Sequence, residues 1–182
     1  ISFKRLIEKP MANILQAQNI DKAYGGKVLF AEASFSLDDN EHIGLIGANG
    51  AGKSTLFKCL VGLEELDDGQ FTRRQNLQVG YLAQDSQAEI AGSVENFLAA
   101  DSTLELWDLK RLGHELGLQQ EHFEKNFKQL SGGYRMRVRL LSLLGRQPDL
   151  LLLDEPTNYL DLESLLALEK FLLNYNRSFV LI

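Results

Sequence analysis

The segment GANGAGKS, residues 47 to 54, has the spacing G-x-x-x-x-G-K-[ST] and lies between an apolar run and a helical pattern. Glycines at 47, 50 and 52 let the backbone curl until its N–H groups face a phosphate chain, and a helix opening near Lys53 adds the positive end of its dipole. Lys53 is suited to reach the β and γ phosphates of a nucleotide. Ser54 is suited to offer its hydroxyl to Mg2+, which takes most of its octahedral shell from water and phosphate oxygens. The expected cradle runs over Gly47, Ala48, Asn49, Gly50, Ala51, Gly52, Lys53, Ser54 and Thr55. The competing reading is a glycine-rich turn with an exposed lysine.

A second stretch, LLLLDEPTNYLD at 150 to 161, drives four leucines into two adjacent carboxylates. A strand buried on both faces can be all leucine, and in an open parallel sheet ligands sit beyond the carboxyl ends of the strands. Asp154 should therefore emerge at the Mg2+, and Glu155 should point at the γ phosphate, where it can orient or deprotonate the attacking water. A merely solvated strand end is the alternative. A third stretch, LSGGY at 130 to 134, opens a predicted helix with Ser131, Gly132 and Gly133, leaving N-terminal amides uncovered by side chains. It reads either as an anion site or as an ordinary serine-capped helix start.

The elements that must hold these groups follow from periodicity. Strands are expected over 13–20, 33–37 and 42–47, the last a buried one, and a helix over 53–62. Strands at 69–74 and 77–84 come next, then amphipathic helices within 93–117, forming a helical insert of about 85–145. A helix over 132–145, a buried strand at 150–153, a helix over 162–175 and a strand at 178–182 complete the order. This alternation implies an α/β fold with a mostly parallel sheet covered by helices and an antiparallel edge built by the early strands.

The chain has 182 residues, 45% of them hydrophobic, enough for one domain with a sizeable core. Its formal charge of -6 argues against binding nucleic acid through the overall field. The single cysteine, Cys59, excludes an intramolecular disulfide and suits a reducing, cytoplasmic setting, and no apolar stretch is long enough to span a bilayer. Residues 1–11 read as an extension outside the fold. The three histidines, His42, His114 and His122, lack metal-ligand spacing, and His114 is expected on a helix surface. Arg135, Arg139 and Arg146 fall on a similar helix face, either as a basic stripe for RNA phosphates or as solvated or salt-bridged side chains.

In their order along the chain, GANGAGKS, YLAQ (81–84), LSGGY and LLLLDEP resemble the nucleotide-binding domain of ABC ATPases over residues 12–182. The resemblance implies a P-loop NTPase fold with an antiparallel β subdomain and a small helical subdomain. It implies ATP and Mg2+ as cofactors, and two such domains, in one chain or in two copies, sandwiching two ATP molecules. Tyr24 would stack on adenine, although a tyrosine beside a glycine pair can equally be turn or surface packing. Gln84 would approach Mg2+ and the attacking water; Ser131, Gly132 and Gly133 would grip the partner's γ phosphate; Asp161 would lie in the loop joining the two sites. A switch histidine would follow just beyond Ile182.

TNYLD is similar to the Thr-Asn-His-Leu-Asp run of the ABC-F subfamily, with Tyr159 in place of histidine; transporters commonly carry Ser-Ala where Asn158 and Tyr159 stand. ABC-F members join two ATPase domains in one chain, lack membrane domains and act on ribosomes. The expectation is thus an ATPase domain that needs a second ABC domain and has the ribosome or its RNA as a further partner. Two alternatives are the ATP-binding subunit of a membrane transporter and a non-catalytic, ATP-dependent binding switch.

Overall fold

A computed structural model describes residues 12–84, 92–100, 102–158 and 160–182; the expected extension over 1–11, the part of the helical insert at 85–91 and Tyr159 lie outside the described residues. Two long strands, β1 (Asn13–Tyr24) and β2 (Lys27–Asp38), form a hairpin. Gly25 and Gly26 link them with φ of +53° and +87°, the two left-handed positions that a tight hairpin turn requires. After β3 (His42–Gly44) come α1 (Lys53–Val61), β4 (Asp68–Arg73) and β5 (Val79–Leu82). The helices α2 (Val94–Ala100), α3 (Leu106–Glu115), α4 (Gln120–Glu124) and α5 (Gly132–Gly145) follow, with a 3-10 turn at Phe127–Gln129 before the last of them. The chain continues through β6 (Leu150–Leu153), α6 (Leu162–Leu173) and β7 (Ser178–Leu181).

The strands sort into two sheets. One is parallel in the order β3-β7-β6-β5; the other is antiparallel in the order β2-β1-β4. The α/β architecture is as expected, with a parallel sheet and a β subdomain whose strands form an antiparallel sheet of their own. The division falls at the turn around Asn40, φ +61°, after which β3 leaves β2 and pairs with β7.

The four leucines of β6 are all essentially inaccessible, 0 to 1% exposed, because each face of this strand meets a different core. Leu150 and Leu152 pack with Phe57 and Leu60 of α1 and with Ile14 and Leu15 of β1. Leu151 and Leu153 pack with the helical region, against residues such as Val138 and Leu141 of α5. The expected buried strand over 42–47 is corrected: β3 is three residues long at the sheet edge, with only Ile43 partly buried and His42 and Gly44 exposed, and Ile46 is 95% exposed. Beyond Leu45, whose N–H donates to Leu181 O at 2.7 Å, the chain must leave the sheet to form the glycine loop.

Helix α4 was not legible in the sequence because Gln119 and His122, an unusual pair, supply its capping box, with Gln119 N donating to His122 Nδ1 at 2.8 Å. The histidines serve packing: His122 is buried and stacks on Tyr134 at 3.9 Å, His42 stacks on Phe179 at 4.3 Å, and the exposed His114 sits 2.8 Å from Leu118 O. Burial pushes the His122 imidazole below its ordinary range. Two of the arginines on the shared helix face are partly covered. Arg135 and Arg139 are half-buried with their guanidinium groups 6.0 and 5.4 Å from the Phe127 ring, and Arg135 donates to Lys128 O at 2.7 Å.

The helical region leaves little space at Gly113, where an added Cβ would come 2.5 Å from the buried Phe123 ring and 3.0 Å from Leu141. At Gly132 nothing lies within 4 Å. Chemical denaturation should therefore show Gly113→Ala losing about 1–3 kcal/mol despite its better helix propensity, while Gly132→Ala keeps the parent stability.

Candidate functional site

Helix α1 starts immediately after the glycine loop. Its N-cap, Gly52, has φ +95° and supplies no side-chain cap, and the first intrahelical bond is Leu56 N to Gly52 O at 2.8 Å. The amides of Lys53, Ser54 and Thr55 thus have no acceptor within the helix, and the dipole adds to their attraction for an anion. Gly52 cannot be replaced without displacement of a neighbour: a Cβ there would sit 2.8 Å from Leu29 Cβ of β2. Gly50, φ +75°, needs the same left-handed freedom and its carbonyl accepts from Lys27 Nζ at 3.1 Å. Lys53 curls over the loop, donating to Gly47 O at 2.9 Å and Ala48 O at 3.1 Å, which sets its ammonium group above the backbone curl.

Strand β6 delivers the carboxylates to the same place. Asp154 is 2% exposed; its Oδ1 accepts from Ser54 Oγ at 2.9 Å and its Oδ2 from Tyr81 Oη at 3.0 Å. Burial, and then the Asp154 charge, push the Tyr81 phenol above its ordinary range, so it remains a donor near neutral pH. Glu155 follows with φ +47°, a left-handed conformation disfavoured for a side-chain-bearing residue. Its Oε2 accepts from Gln84 Nε2 at 2.8 Å and Asn158 Nδ2 at 2.6 Å.

A cleft of about 530 Å3 joins these parts, lined by Tyr24, Lys27, Leu29, Asn49, Gly50, Gly52, Lys53, Ser54, Thr55, Gln84 and Glu155. Tyr24, 48% exposed at the end of β1, forms part of that lining, and Lys22 Nζ lies 5.2 Å from its ring centre. Ser131, Gly132 and Gly133 are not among the described lining residues. They start α5, where Ser131 Oγ accepts from Tyr134 N at 3.5 Å. Gly133 packs so tightly on α6 that a Cβ would meet Ser164 Oγ at 2.8 Å. Asp161 caps α6 by accepting from Ser164 N at 2.8 Å, and the Ser164 hydroxyl and amide hold its carboxyl below the ordinary range.

The donor set fits a magnesium nucleotide. Among the described residues no three histidine, cysteine or acidic side chains form a metal cage. The hydroxyl of Ser54 and the carboxylate of Asp154, 2.9 Å apart, would suit an ion that keeps most of its ligands from water and phosphate oxygens. Sequence reasoning missed three contributors: Lys27, Tyr81 and Asn158. Tyr81 lay in view within YLAQ, three residues before Gln84, and Asn158 sits three residues after Glu155 across a proline, a turn signal.

A family model described as ABC transporter matches residues 30–158. The ABC transporter ATP-binding protein YfmR of Bacillus subtilis is 33% identical over 93% of this chain and 33% of its own length. The energy-dependent translational throttle protein EttA of Escherichia coli is 35% identical over 89% of this chain and 30% of its own. The ribosome protection protein VmlR of Bacillus subtilis is 31% identical over the same 89% and 30% shares. The chain therefore spans about a third of the length of these relatives.

Among solved structures, a metal-chelate type ABC transporter in an inward-facing conformation aligns with TM-score 0.76 and 25% identity, over 94% of this chain and 73% of that one. The archaeal ribosome recycling factor aABCE1, solved with the ribosomal stalk protein aP1, aligns with TM-score 0.75 and 27% identity, over 100% and 36%. With a phosphate loop, a buried carboxylate at its side and a family match over most of its residues, the chain belongs to the ABC transporter family and carries its ATP-binding domain.

Proposed function

We propose that this domain, residues 12–182, binds ATP with Mg2+ between the glycine loop and the end of β6 and hydrolyses it, within an ABC-F-type protein that acts in translation. The observation that carries the reading is the 2.9 Å hydrogen bond between Ser54 Oγ and Asp154 Oδ1, side chains 100 residues apart in sequence. It joins the metal-seeking oxygens of two motifs at one point. The amides at the start of α1 and the Lys53 ammonium group hold the phosphates, and Mg2+, when bound, neutralises charge on them. Ser54 and Asp154 hold the ion, Glu155 acts on the attacking water, and Gln84, whose amide nitrogen is committed to Glu155, turns its oxygen to the ion and the water. Tyr24 stacks on the adenine, a role its half-exposed ring at the cleft margin supports.

The start of α5, where Ser131 and Gly132 are exposed and Gly133 is packed on α6, binds the γ phosphate held by a second ABC domain, and this chain's own ATP needs the same service in return. The separation of these residues from the cleft lining supports that division of labour. Asp161, capping the next helix against the same Ser164 that touches Gly133, sits in the loop between the two sites. Work on the ribosome is supported by the similarity to a translational throttle and a ribosome protection protein. The transporter reading is favoured by the metal-chelate type neighbour, of which this chain covers 73%. Among the described residues no helix is long and apolar enough to cross a membrane.

Three outcomes follow for the whole protein to which this chain belongs. Lys53→Ala, which removes charge-assisted contacts to the phosphates, should weaken ATP binding about 10- to 100-fold in a calorimetric titration. Glu155→Gln should keep ATP but lose about 100-fold or more in turnover; unchanged slow phosphate release would favour the pure binding switch. The same variant loaded with ATP should sediment with ribosomes, whereas ribosome-free protein bound to a membrane subunit would favour transport.

A further inference from the structure

The hydrolytic step needs one oxygen of Glu155 open to the water, and the structure distinguishes the two. Rotation of a glutamate carboxyl about its last bond is broad and nearly two-fold, so its oxygens are ordinarily equivalent. Here Oε2 accepts both from Gln84 Nε2 at 2.8 Å and from Asn158 Nδ2 at 2.6 Å. A carboxylate oxygen offers two lone-pair directions, and two amide donors fill them. Asn158 is in turn fixed by the main chain: its N–H donates to Glu155 O at 3.1 Å, closing the turn Glu155-Pro156-Thr157-Asn158 with proline at the second position, where its fixed φ fits. One residue therefore grips Glu155 by backbone and side chain, on a backbone held at φ +47°.

We propose that Asn158 is a positioning residue for water attack: with Gln84 it fills Oε2 of Glu155 and stops the carboxylate from rotating, leaving Oε1 to receive the proton. This rests on the reading of Glu155 as the group that acts on the water. In the step, the water oxygen bonds to the γ phosphorus as the bond from that phosphorus to the β–γ bridging oxygen breaks. The bridging oxygen leaves with the electron pair on ADP. The water's proton passes to Oε1 and then to solvent or the released phosphate. Without Asn158 the carboxylate would keep one tether, Gln84, and exchange its two oxygens freely.

The test compares single-turnover hydrolysis and ATP affinity in the whole protein. Asn158→Ala should slow the chemical step about 10- to 100-fold while the ATP dissociation constant stays within about twofold and the melting temperature is kept. Asn158→Asp, which sets an acceptor against Oε2, should slow it at least as far, and Asn158→Gln, which keeps a donor amide, should recover part of the rate. In nucleotide-free protein the side-chain amide 15N resonance of Asn158 should move on Glu155→Gln. If Asn158→Ala turns over at the parent rate while Glu155→Gln is inactive, the positioning role is overturned and the reading of Glu155 stands. A loss of rate matched by equal losses in affinity and melting temperature also overturns it, as a structural effect. If Glu155→Gln itself retains hydrolysis, the reading of Glu155 fails and the proposal falls with it.

Discussion

The buried carboxylate of Asp154 is the constraint on which the site depends. An ionised group 2% exposed is costly unless its oxygens are satisfied, and Ser54 and Tyr81 each donate to one of them. Those donors come from different elements, α1 and β5, so the charge is tolerated only when both lie against β6. The leucines enforce that arrangement: Leu150 and Leu152 seat the strand on the core that also holds Phe57 and Leu60 of α1. Non-directional apolar packing thus fixes where a directional, charged group emerges. Phe57 meets Tyr81 edge-on at 6.1 Å, so the same contact that seats the helix also braces the phenol that serves Asp154.

A second centre organises the other end of the molecule. Arg137 of α5 is 1% exposed, donates to Leu116 O at 3.2 Å and Gly117 O at 3.1 Å, and also hydrogen-bonds Ser164 Oγ. Its guanidinium lies 4.5 Å from the Tyr134 ring, which also stacks with His122 at 3.9 Å. Gly117, at φ +77°, leaves the room: a Cβ there would come 2.6 Å from Arg137 Nη1. Helix α5, the start of α6 and the turn that follows α3 are therefore tied through one buried cation that donates to neutral oxygens. Removing such a group leaves several buried acceptors unpaired, which makes this junction far less tolerant than the solvent-facing parts of the same helices.

Features governed by local rules were legible in the sequence. The glycine loop between strand and helix, the all-leucine strand ending in two acids, and the serine start of α5 each rest on a few consecutive residues, and each lies in the structure as expected. What was not legible depends on which distant groups meet. Lys27 reaches Gly50, and Tyr81 reaches Asp154, across sheet topology that no periodicity encodes. Ile46 misled because an apolar residue reads as core, whereas the loop's path carries it outward to 95% exposure. Arg135 and Arg139 share a helix face as their spacing implies, but spacing could not reveal that Phe127, from the preceding 3-10 turn, covers that face. Asn158 stood in plain view as a subfamily marker while its contact with Glu155 waited on the turn geometry.

The central claim is that the glycine loop, the start of α1 and the end of β6 enclose one magnesium nucleotide. Calorimetric titration of ATP into folded protein, with Mg2+ present and with Mg2+ chelated, addresses it most directly. The account predicts one ATP bound by this domain and tighter binding with the metal, since Ser54 and Asp154 would supply its protein-side oxygens. Absence of ATP uptake by a properly folded sample, or an affinity indifferent to Mg2+, would contradict it.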